Sequence, residues 1–438
     1  MSLAWGIPFA GILLSIALGP IVAHEWWHPH YGKAAAFWAL LALLPLAFAF
    51  GPHATAEALF HTLALEYVPL ILMLFALFTA AGGLVARGSL RGTPLVNTAL
   101  LAFGAGIASI VGTTGASMIL IRPLLRANAG RKRNAHVVVF FIFLVSNIGG
   151  SLTPLGDPPL FLGFLRGVDF FWTARNLWPE TLFAVVVLLA LFFALDTRLE
   201  RDDAPSSEPA DAEPFRVTGL VNLALIAVAV TAIVLSGAWK PGVSFELLGT
   251  KLELQNLLRE AVMIAVGLAS LALTARAERE RNGFEWEPIV EVALLFAGIF
   301  TCIIPVMAML HAGAQGPFAS LVGLVFRVGG APNDPAFFWL TGILSSFLDN
   351  APTYLVFFEL AGGDPARLMG PLASTLTAIS LGAVFMGANT YVGNAPNFMV
   401  YSIARAGGVR MPGFFGYMLW SGGILIPLFV VIQWLFLS

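Results

Sequence analysis

The sequence predicts an all-α polytopic membrane protein. Three observations carry that expectation. Hydrophobic residues make up 58% of the 438 and charged residues only 11%, against about 25% charged in an ordinary soluble domain. Uncharged stretches run far beyond the roughly 20 apolar residues that cross a bilayer as a helix: residues 92–121, 368–404 and 411–438 hold no Asp, Glu, Lys or Arg. Strand periodicity is absent, which argues against a transmembrane barrel.

Taken in order, the first apolar run, MSLAWGIPFAGILLSIALGPIVA, lacks a basic start and exceeds a usual signal core, so it reads as a span near 3–23. Further spans fall near 34–50, 62–86, 135–167, 177–195, 217–237, 260–275, 287–310, 369–405 and 414–436, about ten in all. The segments at about 93–125 and 336–362 are apolar but read as hairpins. Residues 198–216, RLERDDAPSSEPADAEPFR, form a charged, Pro- and Ser-rich linker that divides the chain nearly in half. The one cysteine, Cys302, permits no disulfide framework.

The halves resemble each other. LFA at Leu74–Ala76 answers Leu295–Ala297. GTTGAS at Gly112–Ser117 answers LDNAPT at Leu348–Thr353, 236 positions on, and GDPP at Gly156–Pro159 answers GNAP at Gly393–Pro396, 237 positions on. Five spans per half is odd, so the copies are expected to lie inverted, a frequent architecture of secondary transporters. The expected units are 1–197, the cytoplasmic linker 198–216, and 217–438. If both hairpins are re-entrant, the loops 24–33, 86–92, 122–134, 196–216, 276–284 and 405–413 share a face and carry 16 Lys or Arg, against 7 elsewhere. That bias makes the first set cytoplasmic and puts both termini outside, in a bacterial-type inner membrane.

The chemistry is expected where the helical pattern breaks. SNIGGSLTPLGDPP, Ser146–Pro159, interrupts an apolar run with Gly, Pro, Asn and Asp. Non-helical backbone at membrane depth persists only against protein or a wet cavity, so 135–167 is expected as two half-helices with Asp157 as cap and Pro158 as first helical residue. GANTYVGNAPN, Gly387–Asn397, repeats the feature. The hairpin turns add Thr113, Thr114 and Ser117, then Asp349, Asn350 and Thr353. Hard cations take such carboxylate, carbonyl and hydroxyl oxygens, and an intramembrane carboxylate usually marks an ion or proton path.

This order of hairpin motif, basic loop and SNIGG…GDPP resembles the ion transporter superfamily. It is most similar to sodium/proton antiporters of the NhaD type and the related citrate-transporter-like proteins of the CitMHS type. The resemblance covers most of residues 60–436. It implies two inverted repeats, each with a re-entrant hairpin and a broken helix, a scaffold, a homodimer and elevator-like alternating access. It assigns Asn147, Thr153 and Asp157 to a first site and Asp349, Asn350, Asn389, Thr390 and Asn394 to a second. The first hairpin, VGTTGAS, departs by lacking the family's Asn at the turn.

The expected activity is therefore Na⁺ (or Li⁺)/H⁺ antiport, with Na⁺ held near Asp157 and Asp349 as the transported or coupling ion and no cofactor. The alternative is a Na⁺- or H⁺-coupled symporter for citrate or another carboxylate; a channel is disfavoured by the repeat. Small cations, protons, lipid and a second copy are the expected partners, and nucleic acid is not. HEWWH, His24–His28, matches a zinc-protease pattern, but Pro29 follows at once and no third ligand is evident. It reads as an interfacial loop. Arg126, Arg131, Lys132 and Arg133 read as a topology signal, and His136 and Glu291 as structural residues.

Overall fold

The computed structural model describes residues 1–88, 90–201, 216–327 and 329–437. Most of the expected linker, 202–215, therefore lies outside the described residues. The chain is mostly helical, and among the described residues eight helices are long and apolar enough to cross a bilayer; a ninth candidate is a pair bent by 41°. Large apolar side chains stand exposed on them, Phe48 and Phe415 among the most, as lipid-facing surfaces require.

The first spans are α1 (Ile7–Val22), α2 (Tyr31–Phe50) and α3 (Pro52–Gly82), the last with a π-helical turn at Leu63–Tyr67. This third span starts ten residues before the expected boundary, because Gly51 turns at φ 90 and Pro52 occupies the first helical position. Then come α4 (Pro94–Val111) and α5 (Thr113–Ala127), α6 (Ala135–Leu144) and α7 (Pro158–Leu165), and α8 (Trp172–Glu200). The second half supplies α9 (Val221–Ala238), α10 (Leu254–Leu273), and the bent pair α11 (Glu287–Cys302) and α12 (Ile304–His311). It continues with α13 (Asp334–Phe347) and α14 (Asn350–Leu360), α15 (Ala373–Met386) and α16 (Ala395–Ala406), and α17 (Phe414–Phe436).

Two small antiparallel sheets accompany the helices. β1 (Val85–Arg87) pairs with β2 (Arg216–Thr218), and β3 (Ser244–Leu247) pairs with β4 (Thr250–Glu253). They occupy connections between spans, where too few residues exist for alternation to stand out from the apolar background.

Polar contacts sort the connections to two ends of the bundle. At one end Arg126 donates to the Ala86 carbonyl at 2.9 Å, Arg122 to that of Gly283 at 3.3 Å, and Thr218 to Glu278 at 2.9 Å. The base of the α4–α5 hairpin lies here: Gly92 N–H donates to the Ala127 carbonyl at 2.8 Å, and Asn97 and Asn128 exchange amide hydrogen bonds. Buried Asp196 completes that knot, receiving Asn97 at 2.9 Å, with Arg131 and His136 at 2.6 and 2.7 Å. At the other end Asp169 N–H meets the Met369 sulfur, and Arg166 pairs with Glu359. The hairpin turns at Gly112. Its φ of 81 suits glycine, and a β-carbon there would meet the Leu155 carbonyl, inside the break between α6 and α7, at 3.3 Å.

The halves interlock. α2 packs on α11, and α10 packs on α3; α5 packs on α16, and α14 on α7. Each hairpin's second arm thus rests on the half-helix that follows the break in the other half.

Candidate functional site

The two breaks are built from the same bonds. In the first, the Ser109 hydroxyl donates to the Gly149 carbonyl at 2.6 Å, and Thr153 donates to the Ser109 carbonyl. In the second, the Ser346 hydroxyl donates to the Met386 carbonyl at 3.1 Å, and Thr390 to the Ser346 carbonyl at 2.6 Å. All of these partners are 237 positions apart. A β-carbon on Gly156 would collide with the Gly150 carbonyl, and one on Gly393 with the Gly387 carbonyl. Glycine at both GDPP and GNAP therefore permits a backbone contact that no other residue allows.

Four short helices begin around one cavity of about 60 Å³: α5 at Thr113, α7 at Pro158, α14 at Asn350 and α16 at Ala395. Asp157 and Asp349 both line it, with Thr114 and Asn394, and no Lys, Arg or His does so among the described residues. Side chains of α3 and α11, Phe78 and Phe296 among them, cover it.

Asp157 occupies the cap position of α7 in extended conformation, but its side chain makes no capping bond. Two prolines follow, so only the N–H of Leu160 is left for a cap, and it donates to the Asp157 carbonyl at 3.1 Å. The carboxylate, 1% exposed, instead bridges the two hairpins. One oxygen accepts from the Asn350 amide at 2.6 Å and the other from the Thr113 hydroxyl at 3.4 Å. Asp349 does cap its helix, accepting from Ala351 N–H at 3.0 Å, while its carbonyl receives Thr353 at 2.9 Å. Helix N-termini carry partial positive charge, so four of them offset the cost of bringing two acids together in a low dielectric.

A braced amide cluster joins the breaks behind the cavity. Asn394 donates to Asn147 at 2.7 Å, Asn147 donates to Asn397 at 2.7 Å, and Asn397 donates to the Gly387 and Thr390 carbonyls at 2.8 and 3.0 Å. Asn397 was not among the expected site residues. Its signal was its place three residues after the Asn394 cap, where the first copy has Leu160.

Other expected residues stand apart from the cavity. Ser117 bonds Ser146 at 2.9 Å, Asn389 bonds Ser346 at 2.9 Å, and Thr153, Thr390 and Thr353 spend their hydroxyls on backbone carbonyls. They hold the breaks and the second turn in shape.

A vestibule of about 380 Å³ runs from Asp349 and Asn394 to the end that bears His28 and Arg122. Glu285, Glu287 and Glu291 line it, and His28 pairs with Glu287 at 3.1 Å. Glu291, expected to be structural, thus faces this passage, as does one end of HEWWH. No group of three or more His, Cys, Asp or Glu suited to a metal occurs among the described residues.

A many-spanning helical protein with paired helix breaks around a buried acidic cavity is a membrane transporter. The chain matches the family model described as "Putative citrate transport" over residues 1–437, and it belongs to that family. It is also 28% identical over 330 residues to an uncharacterized transporter of Mycobacterium bovis and to one of Mycobacterium tuberculosis. The match spans 73% of this chain and 71% of each relative.

Proposed function

We propose that the protein is a Na⁺ (or Li⁺)/H⁺ antiporter that works by alternating access. The observation that carries this reading is the pair Asp157 and Asp349 in one cavity of about 60 Å³ with no basic side chain on its lining. That space holds one or two bodies of water size. Burial favours a protonated acid, and an adjacent cation favours the ionised form. A carboxylate here holds a proton or a Na⁺ in competition, and exchange follows if the empty, charged site does not reorient. Asn350 and Thr113 orient Asp157, and Asn394 with its brace fixes the cavity wall.

The reading includes two inverted repeats, 1–197 and 217–438, joined by a cytoplasmic linker, with re-entrant hairpins at α4–α5 and α13–α14. The recurrence of the same bonds 237 positions apart and the exchange of packing partners support it. It also places a homodimer in a bacterial inner membrane with both termini outside. The vestibule then faces the cytoplasm, and the molecule is inward-facing.

A second reading, cation-coupled symport of citrate or another carboxylate, is favoured by the family's description and by the four helix N-termini. The vestibule, not the small cavity, has room for such a substrate, and Arg122 on its wall supplies a cation.

The test is a pH-gradient assay in everted vesicles. Antiport predicts that added Na⁺ or Li⁺ dissipates an acid-inside gradient. No response to either ion, together with uptake of labelled citrate into proteoliposomes, replaces the first reading with the second.

A further inference from the structure

α7 and α14 pack together, and each carries an aspartate of the cavity at its start and a charged residue at its far end. Asp157 and Arg166 bracket α7; Asp349 and Glu359 lie near the two ends of α14. Arg166 joins the far ends. Its Nη1 donates to Glu359 Oε1 at 2.5 Å, and its Nη2 donates to Glu66 Oε1 at 2.7 Å. Glu66 lies in the π-helical turn of α3, an irregularity common at functional positions. His311, the last residue of α12, places Nε2 3.1 Å from Glu359 Oε2. Four elements thus meet in one ionic cluster, at the end of the bundle opposite the vestibule.

We propose that this cluster is the gate that closes the cavity from the outer face, with His311 as its proton sensor. The inference rests on the orientation given above, with the vestibule cytoplasmic. The charges explain the sensor. Arg166 faces two carboxylates whose side chains are only 9% and 3% exposed, so one guanidinium serves two buried acids. His311 is 63% exposed on its side chain and exchanges protons with the outer solution. Protonated, it gives Glu359 a second cation; neutral, it leaves Arg166 alone to compensate both acids.

The sign follows. With His311 protonated the gate is locked; as the outer pH rises and His311 gives up its proton, the gate loosens. The elements packed on α12 add few other groups. The N-terminal half of α3 bears His53 and Glu57, which pair with each other at 3.5 Å, and His61. Glu287 and Glu291 sit at the opposite end of α11. Residues 3–6 have no titratable side chain.

Cysteine labelling tests the gate without knowledge of the substrate. Leu355 is buried and lies one turn before Glu359 on the same stripe of α14. Leu355→Cys is made in a Cys302→Ala background and exposed to a membrane-impermeant maleimide from the outer face of oriented vesicles, between about pH 5 and about pH 8. Rates are normalised to Ser2→Cys, which removes the thiol's own pH dependence. The expected result is protection at the acid end and a several-fold rise in labelling at the alkaline end. Arg166→Gln should label at every pH, and His311→Gln should label without pH dependence. Glu359→Gln, with Arg166 retained, replaces Arg166→Gln if that variant fails to fold. Equal protection in wild type and both cluster variants, or an unchanged pH response in His311→Gln, overturns the proposal. The same response obtained only from the cytoplasmic face overturns the orientation and leaves the antiport reading untouched.

Discussion

The carboxylate of Asp157 accepts a hydrogen bond from the side-chain amide of Asn350 at 2.6 Å, across 193 positions of chain. Asp157 opens a half-helix of the first half and Asn350 opens the returning hairpin arm of the second. This bond makes the two halves share one acid, so a change at either position is expected to act on both.

Asp157→Asn should abolish the Na⁺-dependent collapse of an acid-inside gradient while leaving folded protein. The amide keeps the shape and one acceptor for Asn350, and removing a buried charge is often neutral or stabilising. Size-exclusion profile and thermal midpoint in detergent check the fold; gradient dissipation checks function. Retained exchange would remove Asp157 from the mechanism.

Asn350→Ala should weaken cation binding more than it weakens the fold. A hydrogen bond to a charged group is worth about 1.5–3 kcal/mol, which corresponds to roughly a tenfold to hundredfold rise in half-saturating Na⁺. The concentration dependence of gradient dissipation measures it. An unchanged half-saturation would mean that the bond matters only for structure.

Asn147→Ala and Asn397→Ala should prove non-additive. Each deletion leaves buried partners unsatisfied, at about 1–3 kcal/mol apiece, and the two residues are bonded directly at 2.7 Å. A double-mutant cycle on thermal stability should give a coupling of about 0.5–3 kcal/mol. Simple additivity would argue that the amide cluster is not one unit.

Gly156→Ala and Gly393→Ala should both fail to give monodisperse protein, because the added carbon meets a carbonyl on the facing strand of the break. Gly422→Ala is the control: nothing lies within 4 Å of a β-carbon there, and helix propensity favours alanine by about 1 kcal/mol. Fluorescence-detected size exclusion compares the three. A folded Gly156→Ala would show that the break has slack.

Hydropathy announces the spans because each one is settled locally: about 20 apolar residues bury their backbone bonds within themselves. The breaks at Ser146–Pro159 and Gly387–Asn397 were legible for the same reason, since Gly, Pro and Asn in an apolar run leave local backbone groups unsatisfied. The start of α3 and the two small sheets were less legible, because Pro52 and short pairing strands leave weak marks in a uniformly apolar chain.

The sequence by itself determined the many-spanning helical character, the paired interruptions and the acids at their edges. Tertiary structure alone decided what those acids face. Asp157 turns from its own helix to Thr113 and Asn350, Asn397 braces a partner 250 positions away, and Ser117 and Thr353 turn to other partners. Which oxygen meets which donor depends on how distant half-helices pack, and no local pattern of residues encodes that distance.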